Sequence, residues 1–151
     1  MVSRIRPLAA AGLLWLAGCA AGTPAPSEPP SPLPTVRVTG GGKTTGPLVI
    51  DRIEITFDNG FGSITVDRGA RLTARAVVRF SGNGVFRATW LVDGRPLEQV
   101  QHIVTYGDTL TVEAGRTVPL PTFEPGGHTL TLKVEQPAGA IPAPVVRYFV
   151  R

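Results

Sequence analysis

Two histidines, His102 and His128, one cysteine, Cys19, and a scatter of carboxylates are the residues of this 151-residue chain best suited by type to acid–base, nucleophilic or metal chemistry. A general base or nucleophile needs a partner within hydrogen-bond reach, and a zinc site needs three or four ligands that converge. The chain has no HExxH, P-loop or GxSxG element. His102 lies in the alternating run Val100 to Val104 and His128 opens another such run, so both read as structural, although Asp108 is at hand as a further ligand. Asp58-Asn59-Gly60-Phe61-Gly62 has the look of a calcium loop but lacks the repeated acids and closing glutamate, and a hairpin turn explains it. A hydrolytic reading would need carboxylates such as Asp93 and Glu98 to meet in one pocket, which their spacing gives no reason to expect. No catalytic, cofactor-binding or metal-ligating residue is assigned, and the chain is read as a non-enzyme with no small-molecule substrate.

Cys19 is the exception, because a lone thiol in an exported chain has no intramolecular disulfide partner. Arg4 and Arg6 precede an uncharged, Leu- and Ala-rich run from Leu8 to Gly18, which is a signal-peptide layout. The stretch from Pro7 to Gly18 falls well short of the roughly 20 residues a membrane-spanning helix requires. Leu16-Ala17-Gly18-Cys19 closes the run and resembles the bacterial lipobox at all four positions. The resemblance implies that Cys19 is acylated on sulfur, with palmitate or a similar chain, and after cleavage on its amino group. An ordinary signal peptide cut after Ala20 or Ala21 is the alternative. Each buried methylene contributes about 0.8 kcal/mol, and two or more chains hold a protein stably on a membrane. Ala20, and not Asp, comes after the cysteine; in Gram-negative lipoproteins that implies the outer membrane.

The net charge of +4 is partly a property of the signal peptide, since Arg4 and Arg6 would leave with it. The chain beyond Cys19 is nearly balanced, without the clustered basic stripe that phosphate backbones demand, so nucleic acid is not an expected partner. Residues 1–18 are the signal peptide, and 19–46 a lipidated cysteine with a disordered Pro/Gly-rich tether. Six prolines fall between Thr23 and Pro34, with Gly40-Gly41-Gly42 further on. Such composition makes a spacer about 3.1 Å long per residue where proline-rich, with a flexible joint. Val36-Arg37-Val38-Thr39, inside it, either pairs as a short strand or stays disordered.

Residues 47–151 are enough for one domain with its own core, and the periodicity there is two. Leu72, Ala74, Ala76, Val78 and Phe80 alternate with Arg71, Thr73, Arg75 and Arg79. The same alternation runs through Ile53–Phe57, Phe86–Val92, Leu130–Val134 and Val146–Val150, and turn signals such as Asp93-Gly94 and Gly82-Asn83-Gly84 separate the runs. No window shows period 3.6. The expectation is an all-β protein, a single antiparallel β-sandwich of about seven strands. Trp90-Leu91-Val92-Asp93-Gly94 and Pro125-Gly126-Gly127-His128-Thr129-Leu130 together resemble an immunoglobulin-like domain, similar to the CARDB and fibronectin type III kinds. That resemblance makes Trp90 the inward tryptophan of strand C. It puts Ala76 and Leu130 where antibody domains carry cysteines, and His128 where many carry the tyrosine of the tyrosine corner.

Two surfaces could serve a partner. The stiff loop Val118 to Pro125 combines Leu120 and Phe123 with three prolines and could offer an apolar contact, or fold Phe123 under to cap the sandwich. Arg71, Arg75 and Arg79 share one outward face, where Glu54 on a neighbouring strand could pair with them. Pro142 and Pro144 read as guards of a sheet edge. The leading expectation is a lipid-anchored, non-enzymatic binding or assembly module of the cell envelope, an accessory subunit of an envelope or secretion complex whose partner is another envelope protein. The alternative is a glycan- or cell-wall-binding adhesive using Arg71, Arg75 and Arg79.

Overall fold

The computed structural model describes residues 36–40 and 45–151; the expected signal peptide, Cys19 and the expected tether up to residue 35 lie outside the described residues. These residues form nine strands and no helix: β1 (Val36–Thr39), β2 (Val49–Phe57), β3 (Ser63–Val66), β4 (Ala74–Ser81), β5 (Gly84–Val92), β6 (Arg95–Val104), β7 (Thr109–Ala114), β8 (Gly126–Gln136) and β9 (Val146–Val150). They make two sheets, ordered β1-β7-β4-β2 and β3-β9-β8-β5-β6. This is an immunoglobulin-like β-sandwich, with β2, β4 and β7 opposed to β5, β8 and β9.

The period-two pattern explains the packing. Ala74, Ala76, Val78 and Phe80 of β4 point inward beside Ile53, Ile55 and Phe57 of β2, and meet Phe86, Ala88, Trp90 and Val92 of β5 across the core. Trp90, Ala76 and Leu130 have no exposed surface, so Trp90 packs on apolar side chains where antibody domains use a disulfide. Its truncation to alanine belongs to the class of core deletions that cost about 3–5 kcal/mol.

The sandwich differs from the sequence reading in four places. Val36–Thr39 does pair: β1 runs antiparallel to β7, with Val36 opposite Val112 and Thr39 opposite Thr109. It occupies the edge position that strand D holds in related sandwiches. It can do so because β6 and β7 are joined by only residues 105–108, which leaves that place open. Strands β3 and β7 are not among the alternating runs read from the sequence, although in β7 Leu110, Val112 and Ala114 alternate with Thr109, Thr111 and Glu113 and are buried. The turn at Asp58–Gly62 is tight, with the Gly60 amide donating to the Phe57 carbonyl at 2.8 Å. It is not a hairpin, however, for it carries the chain from the first sheet to β3 in the second. Finally, β9 is not an edge: β3 pairs with it in parallel and β8 antiparallel, so Pro142 and Pro144 precede an interior strand.

Candidate functional site

Asp93 and Gly94 are the two-residue turn between β5 and β6, with Val92 opposite Arg95. Both have positive φ, 50° at Asp93 and 76° at Gly94, as a type I′ hairpin requires. This left-handed turn swings the Asp93 carboxylate over the start of β8. There Oδ1 accepts from the Thr129 amide at 2.7 Å and the Thr129 hydroxyl at 3.0 Å, while Oδ2 accepts from His128 Nδ1 at 2.8 Å. The other ring nitrogen, Nε2, lies 2.9 Å from the Glu124 carbonyl. Both partners of the imidazole only accept, so the two bonds are satisfied together only when both ring nitrogens carry protons, as in the imidazolium.

The electrostatics agree. His128 is raised above its usual value first by the hydrogen bond to Asp93 and then by the Glu124 carbonyl, against an opposing effect of burial. At Asp93, burial works to raise the carboxyl, but the hydrogen bonds from His128 and Thr129 outweigh it and hold it below the ordinary carboxylate range. The ring stacks on Tyr148, centroids 5.0 Å apart at 24°. Tyr148 is wholly buried, its hydroxyl donates to the Pro121 carbonyl at 2.8 Å, and burial pushes it up to about 12, with the Asp93 charge adding to the effect. His128 thus fills the corner role in which a ring ties the start of a strand to the preceding loop, and Tyr148 adds a bond to the same loop from the middle of β9. The sequence points to His128; it shows Asp93 only as a turn residue, and Tyr148 only as one inward position of β9.

The loop those bonds hold is residues 118–125. Besides Pro121 and Glu124, Thr122 is fixed: its hydroxyl donates to the Ala70 carbonyl at 2.9 Å and its carbonyl accepts from the Gly69 amide at 2.8 Å. The residues on both sides of Phe123 are therefore pinned, yet Phe123 itself is 68% exposed. It neither folds under nor caps the sandwich. Leu120 does that instead: at 3% exposed it belongs to the core, which corrects the expectation that it offers a contact surface. Phe123 stands as a ridge between two open grooves. One, about 530 Å³, is lined by Asp93, Arg95, Leu97, Pro121 and His128 among others; the second, about 450 Å³, lies against Arg71, Leu72, Arg116 and Pro119. Glu98 does not line the first groove with Asp93. It sits opposite Trp90 on β6, where burial raises its carboxyl despite a hydrogen bond from Thr117. His102, also on β6, is half-buried opposite Phe86.

Arg71, Arg75 and Arg79 are all exposed on the outer side of the first sheet, Arg75 and Arg79 within β4 and Arg71 just before it. Glu54 does not pair with them; its partner is Arg52, at 2.6 Å. Arg75 instead meets Glu113 at 3.2 Å, and Arg116 reaches the same carboxylate at 2.6 Å. Cys19 lies outside the described residues.

No family model matches the chain, and no curated protein does. Among solved structures it is similar to a CARDB domain from Pyrococcus furiosus, described as a complex with di-metal ions. The identity is 10% and the TM-score 0.48, over 73% of this chain and 96% of that one. Among the described residues of this chain, no three His, Cys, Asp or Glu side chains are grouped to hold a metal ion.

Proposed function

We propose that the chain is a lipid-anchored, non-enzymatic binding module of the cell envelope, held on the outer membrane through Cys19 and serving as an accessory subunit that docks another envelope protein. The observation that carries the docking reading is the pinned presentation of Phe123. An exposed aromatic ring on a loop fixed at Pro121, Thr122 and Glu124 is already ordered, so burying it in a partner's pocket forfeits little conformational freedom. Grooves on both sides give a partner somewhere to seat its own side chains. The lipobox-like Leu16-Ala17-Gly18-Cys19 supports the anchor.

The docking test is a pull-down from crosslinked membranes, with wild type beside Phe123→Asp. A reproducible partner is expected with wild type and not with the variant. No reproducible partner, or the same partners with both, defeats the reading. The anchor is checked separately: labelled palmitate should enter wild type and not Cys19→Ala.

A further inference from the structure

The charges of the described domain are sorted by position. On the outer side of the first sheet the register places Arg37, Thr111, Val77 and Glu54 in one cross-strand row, with Glu113, Arg75 and Thr56 in the row on one side and Thr39, Thr109, Arg79 and Arg52 in the row on the other. With Arg71 and Arg116 at its end, this face gathers six arginines against two glutamates and Asp51, which is exposed at the bulge of β2 beside Arg52. Both glutamates are already engaged, Glu54 by Arg52 and Glu113 by Arg75 and Arg116. Arg37, Arg71 and Arg79 have no ion pair among the described residues. Arg37, Arg75 and Arg116 further converge, with Thr111 and Glu113, around a shallow groove of about 380 Å³. Asp67, Asp93 and Glu124 lie in the connections between strands, as do Asp58 and Asp108, which border this face: Asp58 accepts from Thr73 and shares a groove with Arg75 and Arg116, and Asp108 accepts from Thr109. The outer side of the second sheet holds Arg87, Lys133 and Arg147 with Glu135; there Arg87 bonds Gln101, and Thr89 and Gln99 bond Glu135, while Lys133 and Arg147 have no ion pair among the described residues.

The chain enters this basic face directly. Strand β1 is part of the same sheet, and Val36, where the described chain begins, lies opposite Val112, next to the Glu113–Arg75 pair and the three-arginine groove. Sixteen residues separate Cys19 from Val36, a reach of at most about 60 Å. A domain confined that close to a membrane meets it at high effective concentration, and each arginine near an anionic surface contributes about a fivefold gain in association.

We propose that the outer face of the β1-β7-β4-β2 sheet rests on anionic lipid headgroups, with Arg37, Arg71 and Arg79 supplying the free charge and the Arg37–Arg75–Arg116 groove seating a phosphate. The proposal rests on the anchor reading. It turns the second sheet, and the edge formed by β6, away from the bilayer.

The test uses the full acylated chain reconstituted in vesicles, with a fluorophore on Val77→Cys, on the same face but outside the groove, or on Thr65→Cys on the opposite sheet, and an acceptor on a headgroup. Energy transfer from position 77 should exceed that from position 65 in vesicles containing phosphatidylglycerol, but not in pure phosphatidylcholine. The difference should vanish at about 1 M NaCl, where screening acts beyond about 3 Å. Arg37→Glu/Arg79→Glu should remove it, and Arg37→Gln/Arg79→Gln should reduce it in chains whose Trp90 emission stays native. Equal transfer from both positions, or a difference indifferent to salt and to both variants, overturns the proposal. So does retention on peptidoglycan sacculi that depends on the same arginines without lipid transfer, which would make the face a cell-wall surface. Mass spectrometry of the amino-terminal peptide reads the anchor independently. If no acyl group is present, the anchor reading fails, and cosedimentation of the free chain with the same anionic vesicles decides the face: salt-sensitive binding lost in the Glu variant supports it, and no binding overturns it.

Discussion

The bond pattern of His128 makes the loop that carries Phe123 depend on a proton. A neutral imidazole has one N–H, whereas Asp93 and the Glu124 carbonyl each need a donor. Because His128 is raised above its ordinary value of 6.5, its contribution to stability is complete below that value and is lost as pH rises through the higher folded-state value. Asp93 is lowered from 3.8, so its contribution is present above 3.8 and fades as pH falls through the lower folded-state value. The pair is therefore fully engaged between those two pH values. Urea midpoints should be flat there and decline on the alkaline side, and His128→Gln should abolish that alkaline decline. Two neighbouring loop residues should behave oppositely. Phe123→Asp is expected to change stability by no more than about 0.5 kcal/mol, as at exposed sites generally, whereas Leu120→Ala should cost about 2–5 kcal/mol because it empties a core position; denaturant titration of both checks this. The sequence identifies the loop as unusual but cannot assign its two apolar side chains. Which of Leu120 and Phe123 turns inward depends on bonds to Ala70 and Tyr148, distant in the chain and invisible to local pattern.

At the scale of elements, the long alternating strands are legible because one face of each meets a core. From Ala74 to Phe80 every second residue is buried, and the alternation says so without help. β1 and β3, of four residues each, are too short for periodicity to distinguish from coil, and they exist because a longer neighbour offers an open side. Crossings between sheets are equally opaque: Asp93-Gly94 and Asp58-Asn59-Gly60 are both turn sequences, but only the first returns the chain to the same sheet. The attachment of β1 has a specific weak point at Gly107. Its φ is +91°, and a Cβ there would lie 2.7 Å from Val38 Cγ1 and 2.8 Å from the Thr39 carbonyl oxygen. Gly107→Ala should cost about 1–3 kcal/mol, and amide exchange at residues 36–39 should accelerate while that of β5 and β8 stays slow.

For the whole molecule, β1 means that the folded unit starts earlier than its composition suggests. A chain beginning at residue 47 would keep the core but leave β7 as a bare edge, with its outward backbone groups free to pair with another copy. Sedimentation should show that shortened form self-associating, while one beginning at residue 34 stays monomeric. The arrangement has one more effect. Strand β1 is held chiefly by a single four-residue ladder against β7. A pull on the amino-terminal side can unzip that ladder without opening the core, freeing four residues, about 14 Å of chain at full extension. Under the proposed anchor, that ladder would act as a short reel between membrane and domain, one that yields under tension and rewinds when the tension is gone.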